Sequence, residues 1–163
     1  MHPYSGSSLH RVVVDASIVI DLFAGRSRER VVAAERVFTC IEARRGSVRL
    51  FAPRLFLAEL SGVLVRFLLP PEVRRITDLL EAEVATIGDD LYFRESVGAA
   101  LKTGSRGADS YYIGLARVLS AVLATSDRVQ AVNARRAGVE AYYVPEEVDV
   151  LLRRLGCGQP ARR

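Results

Sequence analysis

An α/β domain with a mainly parallel sheet and helices on both faces is the fold class this 163-residue sequence predicts. Three observations carry the prediction. Short aliphatic runs alternate along the chain with segments of helical periodicity, the pattern of strands joined by helical crossovers. The runs are continuously apolar, as strands buried on both faces must be. Glycines and prolines fall between the two kinds of segment, where the backbone has to turn.

The elements follow in order. Arg11-Val12-Val13-Val14 is β-branched and stops at Asp15, so it reads as a buried strand feeding a first helix. Residues 28–45 place Val31, Val32, Ala34, Val37, Phe38 and Ile41 at helical spacing and close at Gly46. A second strand covers 48–52. Pro53 opens a helix, where its missing N–H does no harm. That helix is expected to run to Leu69 and stop at Pro70-Pro71, with Phe56, Leu60, Val63, Leu64 and Phe67 facing the sheet. A helix at 72–83 and a strand at 84–87 come next. Two helices, 90–103 and 109–119, flank Thr103-Gly104-Ser105-Arg106-Gly107. A strand at 121–125, a helix at 128–137 ending in Gly138, a strand at 140–144 and a helix at 146–155 complete the chain.

Length and composition bound the rest. Half the residues are hydrophobic and 26% charged, enough apolar mass for one real core. No apolar run approaches the ~20 residues of a membrane span, and Met1 to His10 lacks the basic and apolar regions of a secretory signal. The expectation is a soluble, cytoplasmic chain. Cys40 and Cys157 have no metal-ligand spacing and are expected to be reduced thiols. His2 and His10 fall in an N-terminal segment expected to be loose. The net charge of +4 is a tail effect: the last eleven residues carry Arg153, Arg154, Arg162 and Arg163 and no acid. The basic pI therefore argues only weakly for nucleic acid.

In sheets of this class ligands bind beyond the carboxyl ends of the strands. Asp15 ends the first strand and Asp127 follows the fourth, in Ala124-Thr125-Ser126-Asp127. Asp109 opens a helix. Each is also placed to cap a helix, the ordinary role of such an Asp. Glu59 differs, because Leu55, Phe56, Gly62 and Val63 surround it at helical spacing and none can pair with it. A carboxylate beside an apolar stripe needs a tertiary partner, either an arginine or a metal ion. Asp15, Glu59, Asp109 and Asp127 together are the hard oxygen donors that Mg²⁺ and Mn²⁺ prefer. Asp21 is a further acid, expected on a solvated helix face.

With those residues in view the chain resembles PIN-domain ribonucleases, in particular the VapC toxins of toxin–antitoxin pairs. Val12-Val13-Val14-Asp15-Ala16-Ser17 is similar to the family's opening strand and first acid, and the segment from Ala52 to Leu60 to its second motif, with Glu59 in the acidic place. Gly107-Ala108-Asp109-Ser110-Tyr111-Tyr112 is similar to the third, and Leu123-Ala124-Thr125-Ser126-Asp127 to the fourth. The resemblance spans nearly all of residues 11–150. It implies a sheet in the order 3-2-1-4-5, with residues 11–155 as the PIN domain between an N-terminal segment, 1–10, and a basic tail, 156–163. It also implies homodimers and, for toxins, a small VapB-type antitoxin. Ser17 stands where many members carry Asn, and one acid stands at Ser126-Asp127 where some members have two. Ser17, Thr125 and Ser126 are expected to support the site by hydrogen bonds.

The implied activity is endonucleolytic hydrolysis of RNA by a water activated on one or two Mg²⁺ or Mn²⁺ ions. Asp15, Asp109 and Asp127 would hold metal, and Glu59 would orient the water or a second ion. Lys102, Arg106 and Arg128 adjoin the motifs and are the candidate RNA contacts. Tyr111 and Tyr112 have the ring faces to stack bases, although core packing is their ordinary role. The alternatives are a non-toxin RNA-processing nuclease and a non-catalytic RNA-binding or assembly module. A dehalogenase-like phosphotransferase needs an Asp where Ser17 stands, a receiver domain needs a lysine after a late strand, and no phosphate-binding Walker loop exists.

Overall fold

The computed structural model describes residues 9–158. Met1, His2 and the tail arginines Arg162 and Arg163, for which the sequence carries expectations, lie outside that range.

Five strands form one parallel sheet: β1 (His10–Val14), β2 (Val48–Pro53), β3 (Val84–Ile87), β4 (Val122–Thr125) and β5 (Ala141–Tyr143). Their order is β3-β2-β1-β4-β5, the order the resemblance implies. Parallel neighbours need crossovers, and eight helices among the described residues supply them: α1 (Ala16–Ala24), α2 (Arg28–Ala43), α3 (Leu55–Leu64), α4 (Pro70–Glu83), α5 (Phe93–Thr103), α6 (Gly107–Val118), α7 (Arg128–Arg136) and α8 (Val144–Arg154). Right-handed crossovers put α1 to α4 on one face and α5 to α7 on the other, and α8 returns to the first face. The packing agrees: α8 lies against α2, α1 against α2 and α3, and α5 against α6 and α7. The central strand β1 is apolar on both sides, with Val12, Val13 and Val14 fully buried. Its register, Val14 opposite Ala124, leaves Asp15 beside Thr125 at the strand ends.

Two glycines are required by this packing. At Gly114 a Cβ would lie 2.2 Å from Ser96 Oγ, so α5 and α6 approach as closely as they do because that position is bare. Gly138 takes φ +84° just past the end of α7, a left-handed conformation that suits glycine.

Four expectations are corrected. The helix opened at Pro53 ends at Leu64 rather than Leu69. Its last turn tightens, with Phe67 N–H donating to the Leu64 carbonyl at 2.9 Å. Pro70-Pro71 holds Leu69 extended and starts α4 instead. Phe67 is consequently 60% exposed and does not face the sheet. Second, His10 belongs to β1, not to a loose lead. Third, Asp21 is not solvated: it is 4% exposed and ion-paired to Arg30 at 3.0 Å. Fourth, Cys40 and Cys157 are not separate thiols; they form a disulfide across 117 residues of sequence, with Cα atoms 5.8 Å apart. α2 and α8 pack side by side, so Cys157, just beyond α8, reaches Cys40 on α2. No helix among the described residues is long and apolar enough to cross a membrane.

Candidate active site

The β1 and β4 ends lie where the chain turns from one direction of crossover to the other, the crevice that such sheets leave open. Asp15 is the N-cap of α1. Its backbone N–H donates to the Ala124 carbonyl at 3.0 Å, tying it to β4. Its carboxylate is buried and saturated. Oδ2 accepts from Ser17 N–H at 3.2 Å and from the Ser17 hydroxyl. It also lies 3.1 Å from Thr125 Oγ1, and Oδ1 lies 3.4 Å from Gln130 Nε2. Burial pushes the Asp15 carboxyl above the usual carboxylate range, against the pull of those hydrogen bonds.

Thr125, fully buried, organises the corner. Its Oγ1 also lies 2.5 Å from Gln130 Oε1 and accepts the Asp127 N–H at 3.0 Å. Ser126 N–H donates to Ser17 Oγ at 2.9 Å. Ser17 and Thr125 thus both hydrogen-bond to Asp15, and Thr125 also to the Asp127 backbone. Ser126 contributes through its backbone, while its Oγ is buried with no hydrogen-bond partner. Asp127 caps α7, with Oδ1 accepting from Val129 N–H at 2.8 Å and Gln130 N–H at 3.1 Å. The capping and the site roles are therefore compatible: one oxygen of Asp127 caps, and Oδ2 faces the Arg106 guanidinium at 3.6 Å.

Asp109 sits three residues into α6 and takes Arg106 Nε on Oδ2 at 3.0 Å. One guanidinium, 78% exposed on its side chain, therefore spans Asp109 and Asp127. Glu59 is half-buried on α3 and finds a phenol rather than an arginine: Tyr112 Oη donates to Glu59 Oε2 at 2.6 Å. Burial pushes Glu59 up, the charges of Asp15 and Asp109 add to this, and Tyr112 and Arg106 oppose it. The phenol of Tyr112 is itself pushed far above its usual range by burial and by Asp15 and Glu59. These mutual effects place Asp15, Glu59 and Asp109 in one field.

The four acids thus line one end of the sheet without closing on a point. Among the described residues no group of three or more His, Cys, Asp or Glu side chains is gathered tightly enough to hold a metal ion. The donor set nevertheless fits Mg²⁺ or Mn²⁺, being all hard oxygen. Two of its members already share a cation, the guanidinium of Arg106, and the Ser126 hydroxyl beside them is unsatisfied.

Of the predicted RNA contacts, Arg106 is engaged with the acids, and Lys102 is exposed on the last turn of α5. Arg128 pairs with Glu146 and lies 4.6 Å over the Tyr143 ring. Tyr111 packs edge-on against Tyr92 and Phe93. Three residues hold positions around the acids that the sequence did not indicate. Gln130 is 1% exposed and joins Asp15 to Thr125; its only signal was a polar residue three places after a helix-capping Asp. Tyr112 was read as a core aromatic, and it is one that also restrains Glu59. Arg30 donates from Nη2 to the Ser126 carbonyl at 2.9 Å, which no local pattern announces.

Residues 12–136 match the PIN domain family. The chain belongs to that family. PIN domains are in general nucleases, and the matched stretch contains all four acids. Three solved structures share the fold. A protein called PAE2754 from Pyrobaculum aerophilum is 19% identical with a TM-score of 0.61, covering 94% of each chain. VapBC-1 from nontypeable Haemophilus influenzae is 20% identical with a TM-score of 0.60, covering 81% of this chain and 96% of that one. FitAcB from Neisseria gonorrhoeae is 15% identical with a TM-score of 0.56, covering 80% and 96%. At those identities the likeness is one of fold. No curated protein matches this PIN domain significantly by sequence.

Proposed function

We propose that this PIN domain is a Mg²⁺- or Mn²⁺-dependent endoribonuclease, the toxin of a VapBC-type pair. The observation that carries the reading is that Asp15 and Asp127 meet on Thr125 at the β1–β4 ends, where the crossovers reverse direction, with Asp109 joined to Asp127 through Arg106. Asp15, Asp109 and Asp127, with Glu59, would hold the ion, which supplies Lewis-acid polarisation of a phosphate and acidifies a water. The chain's own residues do the rest. Ser17, Thr125 and Gln130 hold Asp15 in one orientation, so little reorganisation is needed at the moment of reaction. Glu59, with its carboxyl raised by burial and one oxygen fixed by Tyr112, is placed to orient an attacking water or a second ion. Arg106, once released from the acids, and Lys102 supply positive charge for the RNA backbone.

The likeness to VapBC-1 and FitAcB supports a small antitoxin partner. Phe93, Val97 and Leu101 form an exposed stripe along α5, Leu101 at 83%, which supports pairing with a second copy. The test is cleavage of single-stranded RNA with Mn²⁺, with EDTA, and by Asp15→Asn. Losing one charged ligand should lower the rate by about a thousand-fold, since a metal contributes several kcal/mol at about 1.4 kcal/mol per decade. Activity that persists in EDTA refutes the metal reading. RNA binding without cleavage by the intact chain with Mn²⁺ selects the non-catalytic module, a reading favoured by the open spacing of the acids. Growth arrest on induction, relieved by a small adjacent open reading frame, separates a toxin from a processing enzyme.

A further inference from the structure

The β4–α7 turn is held from two sides, and only one of them belongs to the acidic cluster. On the inner side Ser17 Oγ accepts the Ser126 N–H at 2.9 Å, and Thr125 Oγ1 accepts the Asp127 N–H at 3.0 Å. On the outer side the Ser126 carbonyl accepts from Arg30 Nη2 at 2.9 Å. Arg30 lies near the start of α2, 96 residues from Ser126 in sequence. Its Nε is fixed by Asp21 Oδ1 at 3.0 Å, and its Nη1 lies 3.4 Å from the Tyr143 hydroxyl on β5. Asp21, on α1, is buried, and its second oxygen has no partner.

A buried carboxylate with one oxygen unsatisfied is a costly thing to keep for stability alone, because an apolar residue of similar size would fill that place as well. What the pair achieves is geometric. A guanidinium is a planar fork with donors in fixed directions, and this one spends them on three different elements. Asp15 caps α1, Asp127 caps α7, and the Asp21–Arg30 pair ties α1 to the turn that leads into α7.

We propose that Asp21 and Arg30 are positioning residues for the acidic site: Asp21 aims the Arg30 guanidinium, and Arg30, through the Ser126 carbonyl, sets the turn that presents Thr125 and Asp127. Neither side chain touches substrate. The inference rests on the endoribonuclease reading for its kinetic consequence but not for its structural one, and the two are tested apart.

The structural arm uses the full-length, metal-free chain and amide hydrogen exchange. Arg30→Lys keeps the charge and loses the fork. It should speed exchange at the Ser126 and Asp127 amides by about ten-fold or more, while the β1 and β2 amides keep parental protection; each ten-fold corresponds to about 1.4 kcal/mol of local opening. Parental exchange at Ser126 and Asp127 would overturn the proposal. The binding arm is calorimetry with Mn²⁺ alone, in which Arg30→Lys should bind about 10- to 100-fold more weakly, the usual cost of removing support behind a ligand.

The kinetic arm separates kcat from KM on an RNA oligonucleotide. kcat should fall about 10- to 100-fold with KM within about three-fold of the parent. A raised KM with unchanged kcat would make Arg30 an RNA contact and overturn the positioning role. Breaking one half of a buried pair endangers folding, so Asp21→Asn/Arg30→Gln, which leaves no uncompensated charge, is the second variant. It should melt cooperatively near the parent and show the same kcat loss; full activity in it would overturn the proposal. If the parent cleaves no RNA, the endoribonuclease reading fails, while the exchange and Mn²⁺ measurements still decide the role of Arg30.

Discussion

The two corners of the acidic site are built in opposite ways. At the β1–β4 corner, Asp15 is held by Ser17, Thr125 and Gln130, and Asp127 is fixed by the α7 amides. At the α3–α6 corner, Glu59 has one phenol and Asp109 one exposed arginine. Strand ends in a parallel sheet are rigid, and both carboxylates there accept backbone amides of the helices they cap. At the helix surfaces the carboxylates are met by side chains instead, the Tyr112 phenol on Glu59 and the Arg106 guanidinium on Asp109, and side chains adjust more readily than backbone. The contrast divides the site into a fixed platform and an adjustable wall, which accounts for four acids in one crevice that do not yet converge.

The largest effect expected is on the platform. Gln130→Ala should lower Mn²⁺-supported RNA cleavage by about 10- to 100-fold, because it removes the amide that bridges Asp15 and Thr125. Arg106→Ala, at the wall, should tighten Mn²⁺ binding measured by calorimetry while costing less than about ten-fold in rate. Equal rate losses for the two would erase the distinction between the corners.

The next effect concerns the disulfide, remote from both corners. Cys157→Ser should lower unfolding free energy by about 2–4 kcal/mol, as expected for closing a long loop, with cleavage unchanged. Urea melts with and without reductant measure it. Loss of activity alongside stability would show that the α2–α8 contact reaches the platform.

A third effect is one of pH. The Asp15 carboxyl is raised in the folded chain by burial, so the native state binds its proton more tightly than the unfolded state. That contribution is stabilising below the ordinary carboxyl range and is lost as pH rises through the raised value. At pH 7 without metal the charged, buried group is a burden. Asp15→Asn should therefore raise the melting temperature there, by about 2–4 °C per kcal/mol relieved. The difference should vanish below about pH 4, where both side chains are neutral. A lowered melting temperature at pH 7 would mean that the surrounding donors outweigh burial. The smallest effect is at the wall: Tyr112→Phe should cost about 0.5–1.5 kcal/mol of stability, one hydrogen bond's worth, read by chemical denaturation.

The sequence made the platform partly legible. Val12 to Val14 announces a buried strand, and the Asp that ends it announces a strand-end carboxylate, so β1 and its acid were visible, as were β4 and Asp127. What brings them together is register across 110 residues, and no local pattern states that; it came from the family resemblance. Glu59 was legible as a carboxylate out of place, but its partner was not, because a Tyr in an apolar helix looks the same whether or not its hydroxyl is used. Asp21 was misread since three-residue spacing cannot see Arg30 nine residues on, past the turn at Gly25. Cys40 and Cys157 were misread for the same reason, their meeting being a consequence of how α2 and α8 pack. The end of α3 was missed because Pro70 marks where a helix must have stopped, not where it does.

The central place of β1 has a consequence for how the protein is made. β1 leaves the ribosome well ahead of one of its own neighbours, β4, which follows more than a hundred residues behind. Until that later strand is synthesised, Asp15 has neither its threonine nor its opposing aspartate, and the first half of the chain holds a strand with one open edge. The acidic crevice is therefore incomplete in every nascent or truncated chain that lacks residue 127.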